Sequence, residues 1–140
     1  MQSVISLTID PFSETIFVLN ADGRLVKIPF DYPSTLPTVF STWILRATKI
    51  EFDQFGDQLY YLSDRGLGVI STGKDCVTTD LVAGKINDFT LLPELALVIY
   101  VTDHEVKALT MDGSNEFLLF EVTALNLTSV TGGQRFKRST

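Results

Sequence analysis

Short apolar runs broken by Asp, Gly or Pro follow one another along this chain, the pattern of strands joined by turns. Ile5-Ser-Leu-Thr-Ile-Asp-Pro-Phe-Ser-Glu-Thr-Ile-Phe-Val-Leu-Asn20 reads as a strand, an Asp with a turn behind it, and a second strand opening on an aromatic. Ile50-Glu-Phe-Asp-Gln-Phe-Gly-Asp-Gln-Leu-Tyr-Tyr-Leu-Ser63 repeats it, with Asp10 mapping to Asp53 and Phe17 to Tyr60, each 43 positions on. A third copy runs from Phe89 through Pro93 to Tyr100, 40 positions after Tyr60. There Leu92 replaces the Asp, and the aromatic lies one residue farther away.

Each copy continues with a turn: Ala21-Asp-Gly23, Asp64-Arg-Gly66, Asp103-His-Glu105. An Asp-Gly pair between apolar runs signals a hairpin, because Gly accepts positive φ at no steric cost. Short third strands follow at Arg24 to Ile28, Gly68 to Ser71 and Val106 to Thr110. Fourth apolar segments come near Thr38 to Ser41, Cys76 to Leu81 and Phe117 to Val122. No segment has a convincing 3.6-residue apolar period; Leu81 to Leu92 comes nearest. Four antiparallel strands repeating at this interval match the blades of a β-propeller. The expectation is all-β: three four-stranded antiparallel blades, about 3–43, 47–84 and 86–124, half of a six-bladed ring and open as it stands. Residues 1–130 would form this partial propeller, and 131–140 a basic tail or linker. Phe17, Tyr60 and Tyr100 would press each blade on the next, with Phe52 and Val98 also in the core. The outer faces would carry Val4, Ile16, Leu97 and Ile99, a route to self-association.

Composition narrows the partners. The chain has 140 residues, 45% hydrophobic and 20% charged, with a net charge of −6. Its basic residues are scattered until the last few positions, so a phosphate-binding surface and nucleic acid are not expected. The longest apolar run, Leu95 to Val101, is far short of a transmembrane helix. Met1-Gln2-Ser3 lacks the start of a signal peptide, so the chain reads as intracellular or as a piece of something longer.

Tyr100-Val101-Thr102-Asp103 matches three of the four residues of a YWTD signature, and Asp112-Gly113-Ser114 the turn that follows it in such repeats. Tyr60-Tyr61-Leu62-Ser63-Asp64 and Phe17-Val18-Leu19-Asn20 are degraded copies. Over roughly residues 3 to 122 the chain resembles the LDL-receptor class B (YWTD) repeats of six-bladed extracellular propellers. These occur in lipoprotein receptors, nidogen and sevenless/Ros-type receptor ectodomains. The resemblance implies structural roles for Tyr60, Asp64, Tyr100, Thr102, Asp103, Asp112 and Gly113. In that family the Thr and Asp hydrogen-bond backbone within and between blades. Leu19 and Leu62 stand where the Thr would be, and the signature Trp is missing, since Trp43 lies elsewhere.

Candidate chemistry is thin. His104 is the single histidine and falls in a turn, with no nucleophile paired to it. Asp10, Asp53, Asp57 and Asp64 also lie in turns, where Asp accepts from backbone N–H groups. Cys76 is the single cysteine and reads as a small buried or half-buried thiol. No phosphate-loop, dinucleotide or zinc-protease motif is present. No enzyme activity, catalytic residue, metal or cofactor is expected. Asn126-Leu127-Thr128 is a glycosylation sequon, and Arg135-Phe136-Lys137-Arg138 matches a furin-type processing site ending at Arg138. Both lean toward the secretory pathway. The functional expectation is a non-enzymatic module of an extracellular receptor-like propeller, binding a protein ligand or neighbouring domains. The alternatives are a six-bladed enzyme or sensor of the gluconolactonase or NHL type, and a purely architectural segment.

Overall fold

The computed structural model describes residues 3–72 and 76–121. Their strands form three antiparallel four-stranded sheets, each in sequence order. The first holds β1 (Val4–Asp10), β2 (Thr15–Asn20), β3 (Arg24–Pro29) and β4 (Thr38–Trp43). The second holds β5 (Ala47–Asp53), β6 (Gln58–Ser63), β7 (Gly66–Ser71) and β8 (Thr78–Ala83). The third holds β9 (Asp88–Leu92), β10 (Leu97–Val101), β11 (Glu105–Thr110) and β12 (Glu116–Glu121). The first two sheets lie in one compact unit, ending at Gly84, and the third in a second unit beginning at Lys85. The sequon at Asn126, the basic site at Arg138 and the 131–140 tail lie outside the described residues. The weak helical stretch from Leu81 to Leu92 is strand at both ends, in β8 and β9.

The first hairpin of every sheet closes through four residues, 11–14, 54–57 and 93–96. The fourth is left-handed each time: Glu14 at φ 53°, Asp57 at 54° and Ala96 at 53°. In the first sheet the Asp10 carboxylate accepts from the Phe12 N–H at 3.0 Å and the Ser13 hydroxyl at 2.6 Å. Asp53 accepts from the Phe55 N–H at 3.1 Å. Leu92 cannot accept, and a 3-10 turn over Pro93–Leu95, closed by the Ala96 N–H on the Pro93 carbonyl at 3.0 Å, takes over.

Equal loop lengths correct the alignment of the third copy. Asp10 pairs with Thr15, Asp53 with Gln58 and Leu92 with Leu97, so the equivalent of Tyr60 is Ile99, 39 positions on. Tyr100 falls on Tyr61 instead. The third copy has no longer spacing; its aromatic has moved one place along the strand. Side chains alternate between faces along a strand, so Tyr100 takes the face opposite to the one that Phe17 and Tyr60 share by register. The signature copies then read Tyr61-Leu-Ser-Asp64 and Tyr100-Val-Thr-Asp103 in one frame.

Sheets one and two pack face to face. Phe17, Leu19, Leu25 and Phe40 meet Ile50, Phe52, Leu59, Tyr61 and Ile70 in one cluster. The rings of Phe17 and Phe52 stack with centroids 5.0 Å apart, and Phe40 meets Phe17 edge-on at 6.2 Å. At the inner edge the Ile50 N–H donates to the Ser6 hydroxyl at 3.1 Å and the Phe52 N–H to the Thr8 hydroxyl at 3.0 Å. These bonds satisfy β5 backbone donors that the sheet ladder leaves unpaired. In the third sheet one face gathers Ile99, Val101, Val106 and Ala108, with Leu92, Leu97 and Phe120 against them.

Phe17, Phe52, Tyr60, Val98 and Tyr100 are all buried, as the core expectation requires. Of the four residues expected on outer faces, Val4 is exposed and Ile16 and Leu97 half-buried, whereas Ile99 is 3% exposed and belongs to a packed cluster. Tyr60 is 1% exposed, so Tyr60→Ala should cost about 3 kcal/mol, from lost transfer energy and the cavity left behind. Chemical denaturation should show the midpoint falling with the slope unchanged. An unshifted midpoint would refute the packing role given to this ring.

Candidate functional site

Tyr61 lines a cleft of the first unit. It lies on the cross-strand row Ile50, Tyr61, Gly68, Asp80, one residue from each strand of sheet two. Gly68 is needed here: a Cβ would sit 2.3 Å from the Tyr61 ring and hydroxyl. Without it the ring lies across β7 toward Asp80. Burial raises the Tyr61 pKa, and the Asp80 carboxylate raises it further. The Tyr61 side chain finds no hydrogen-bond partner among the described residues.

Around it, residues 42–46 at the end of β4 and just beyond, residues 63–67 around the β6–β7 turn, and Thr78 and Asp80 of β8 enclose about 530 Å³. Arg46 and Asp64 pair across the mouth at 3.2 Å, with Arg65 and Ser63 beside them. Trp43 forms another wall, and the Arg24 guanidinium lies over its ring at 4.6 Å from the centroid. The charged lining groups, Arg46, Arg65, Asp64 and Asp80, cancel. Tyr, Trp and Arg are the side chains that most often anchor protein interfaces. This cleft presents all three.

The expected signature residues fall into two places. Asp64 pairs with Arg46, while Asp103 accepts from the Asn87 side-chain amide at 3.0 Å and pairs with Lys85 at 3.6 Å. Arg46 and Lys85 are 39 positions apart, the same interval as Asp64 and Asp103. Each Asp therefore ties the turn after its second strand to a basic residue just before its first. Both pairs are surface-exposed and contribute little apiece. The Asn87 hydrogen bond, then the nearby Lys85, holds the Asp103 carboxyl below its usual range. The Thr102 hydroxyl accepts from the N–H groups of His104 at 3.4 Å and Glu105 at 3.2 Å, and Ser63 likewise from Arg65 at 3.2 Å. Thr102 thus bonds backbone, but Asp103 bonds side chains.

Asp112 organises the β11–β12 turn. It accepts from the Ser114 N–H at 2.9 Å, the Ser114 hydroxyl at 2.7 Å and the Thr110 hydroxyl at 2.7 Å, while Gly113 takes φ 79°. The Ser114 and Thr110 bonds push its pKa down to about 2. Nearby, the Tyr100 hydroxyl donates to Glu116, which also pairs with Lys107 at 3.2 Å. Burial first, then the hydrogen bond to Glu116, raises the Tyr100 pKa; the Tyr100 bond holds Glu116 down, and Glu116 raises Lys107. Sequence reasoning missed Tyr61, Gly68, Glu116 and Trp43's cleft. The common three-residue interval from Tyr61 to Asp64 and from Tyr100 to Asp103 was the signal for Tyr61.

Two measurements check this geometry. Gly68→Ala should displace the Tyr61 ring and lower the unfolding midpoint, whereas Gly84→Ser, with nothing within 4 Å of its Cβ position, bears only the strain of φ 118°. Carboxyl NMR should find Asp112 titrating near pH 2 in the folded chain. A depressed carboxylate stabilises above its unfolded pKa of 3.8, and that contribution drains as pH falls toward about 2. A midpoint near 4 would remove Asp112 from the turn.

No family model and no curated sequence matches the chain. Solved structures do. Over 89% of its length it superposes on a chain of a nidogen/laminin complex with TM-score 0.72 at 12% identity, spanning 51% of that chain. It covers 32% of an auxiliary nutrient binding protein from Bacteroides thetaiotaomicron (TM-score 0.73, 12% identity) and 40% of U3-55K (TM-score 0.67, 13% identity). The chain spans about half or less of each of these. At such identities the likeness establishes the fold, and the fold is that of β-propeller blades.

Proposed function

We propose that the chain is a non-enzymatic protein-binding module belonging to an extracellular, receptor-like propeller of the YWTD kind. The observation that carries this reading is the Trp43–Tyr61–Arg65 cleft, an aromatic and Arg-rich concavity formed between two rigid sheets. Support comes from the two in-frame signature copies, each with its Asp paired to a basic residue at the entry to its own sheet. Further support is the likeness to a chain crystallised in the nidogen/laminin complex. The sequon at Asn126 agrees with passage through the secretory pathway. The ligand is a protein segment that brings both charge signs, or none, since the lining charges cancel.

A panel of purified secreted proteins and receptor ectodomains, passed over the immobilised chain, tests this. At least one should bind saturably, and Trp43→Ala should weaken it at least tenfold, equivalent to 1.4 kcal/mol. The variant should unfold like the parent, because Trp43 is 46% exposed. Expressed behind a secretion signal, the chain should carry an endoglycosidase-sensitive glycan lost in Asn126→Gln. Binding indifferent to Trp43, or no glycan, would count against this reading.

A further inference from the structure

The Tyr61 cleft lies at one end of the first unit, beside the β6–β7 turn. The opposite end carries the β5–β6 turn at 54–57. Ser6 meets Ile50 and Thr8 meets Phe52, so β1 and β5 run in the same direction and the β1–β2 turn at 11–14 shares that end. The β3–β4 connection at 30–37 joins it, with the Phe30 N–H donating to the Glu14 carbonyl at 2.9 Å. Five large apolar side chains meet water there: Phe12 is 77% exposed, Leu36 73%, Phe55 64%, Tyr32 56% and Phe30 48%.

Phe12 and Phe55 are the informative pair. They hold the same second place of the four-residue turn, 43 positions apart. In each turn the preceding Asp carboxylate accepts the Phe N–H, at 3.0 Å and 3.1 Å, which fixes the backbone beneath a largely exposed ring. The turn itself does not require an aromatic, since Glu94 stands at that place in the third sheet. A neighbouring sheet covers faces and not turn tips, so this exposure does not depend on which sheets lie beside the unit. Counting about 200 Å² for each large side chain, the exposed fractions amount to roughly 600 Å². That matches the largest patch an ordinary monomer shows, which is often functional.

The charge at this end has one sign. Glu14, Asp31 and Asp57 are all exposed, and they are the charged residues of the three segments. We propose that this end is a docking surface for a basic amphipathic segment of a partner protein. Its apolar side chains meet Phe12, Phe55 and their neighbours, and its Lys or Arg side chains meet the three carboxylates. Charge complementarity selects this occupant: like charge opposes an acidic peptide and an anionic lipid surface alike. The inference rests neither on the Tyr61 cleft nor on an extracellular role.

A short fluorescent peptide of Leu and Lys in an amphipathic helical pattern, titrated with the full 140-residue chain and read by anisotropy, tests it. Saturable binding that weakens with salt is expected. Phe12→Ala/Phe55→Ala should weaken it at least tenfold while the unfolding midpoint stays at that of the parent, since both rings are largely exposed. Glu14→Gln/Asp57→Asn keeps every ring, and should weaken binding at least threefold and flatten its salt dependence. Trp43→Ala, in the cleft, should leave it unchanged, which separates the two surfaces. A peptide that does not bind would overturn the proposal. So would binding that ignores the Phe pair, which would report only the net charge of −6. A chain that passes over the peptide and partitions through the Phe pair onto phosphatidylcholine or phosphatidylserine vesicles would overturn it as well.

Discussion

A four-stranded sheet with apolar side chains on both faces cannot stand in water with either face bare. That constraint governs this molecule. The first sheet sets Phe17, Leu19 and Leu25 on one side and Leu7, Ile9 and Val18 on the other. Sheet two covers the first side by stacking Phe52 on Phe17 and by donating two β5 N–H groups to the Ser6 and Thr8 hydroxyls. The small hydroxyls let the inner strands approach while satisfying edge donors. Larger side chains at residues 6 and 8 would hold β1 and β5 apart. Aromatic packing and edge hydrogen bonds therefore depend on the same close approach.

The turns set the register on which that packing rests. A one-residue slip would send every side chain of a strand to the opposite face. Three hairpins avoid it with a common four-residue loop ending in a left-handed residue, although none uses Gly at that position. Glu14, Asp57 and Ala96 accept a conformation unfavourable for side chains bearing a Cβ. The Asp10 and Asp53 carboxylates, or the 3-10 turn at Pro93–Leu95, hold the loop from its other end. Different chemistry produces one geometry.

That substitution of one device for another limited what could be read from the sequence. The sheet class and strand order were legible, because Asp-Gly turns and alternating short runs report local backbone preferences. The frame of the third copy was not. With Leu92 in place of Asp, the turn lost its marker, and the tyrosine at 100 appeared to continue Phe17 and Tyr60 when it continues Tyr61. Hydrophobic class survives such a shift, so Tyr100 is buried under either frame, but its face does not. The cleft was less legible still. Its walls come from residues 42–46, 61, 63–67, 78 and 80, and the Tyr61 ring has its place because Gly68 lacks a Cβ. An absent Cβ carries no signal until strand pairing shows which ring lies across it.

The repeat also separates positions that recur in frame from positions that change between sheets. Residues that recur in frame, such as Asp64 with Arg46 and Asp103 with Lys85, tie the second and third sheets internally. Residues that break the repeat are released from that duty. Trp43 has Val82 at the corresponding place of the next repeat, and Gly68 has Lys107, although Tyr61 has Tyr100. In the third sheet Lys107 fills the space beside Tyr100 and helps bind Glu116, which accepts the tyrosine hydroxyl. In the second sheet the Tyr61 ring itself lies where a Cβ of residue 68 would stand, and it lines the cleft. One tyrosine position thus meets two settings: at Tyr100 the hydroxyl donates within its own sheet, and at Tyr61 the ring lines a cleft.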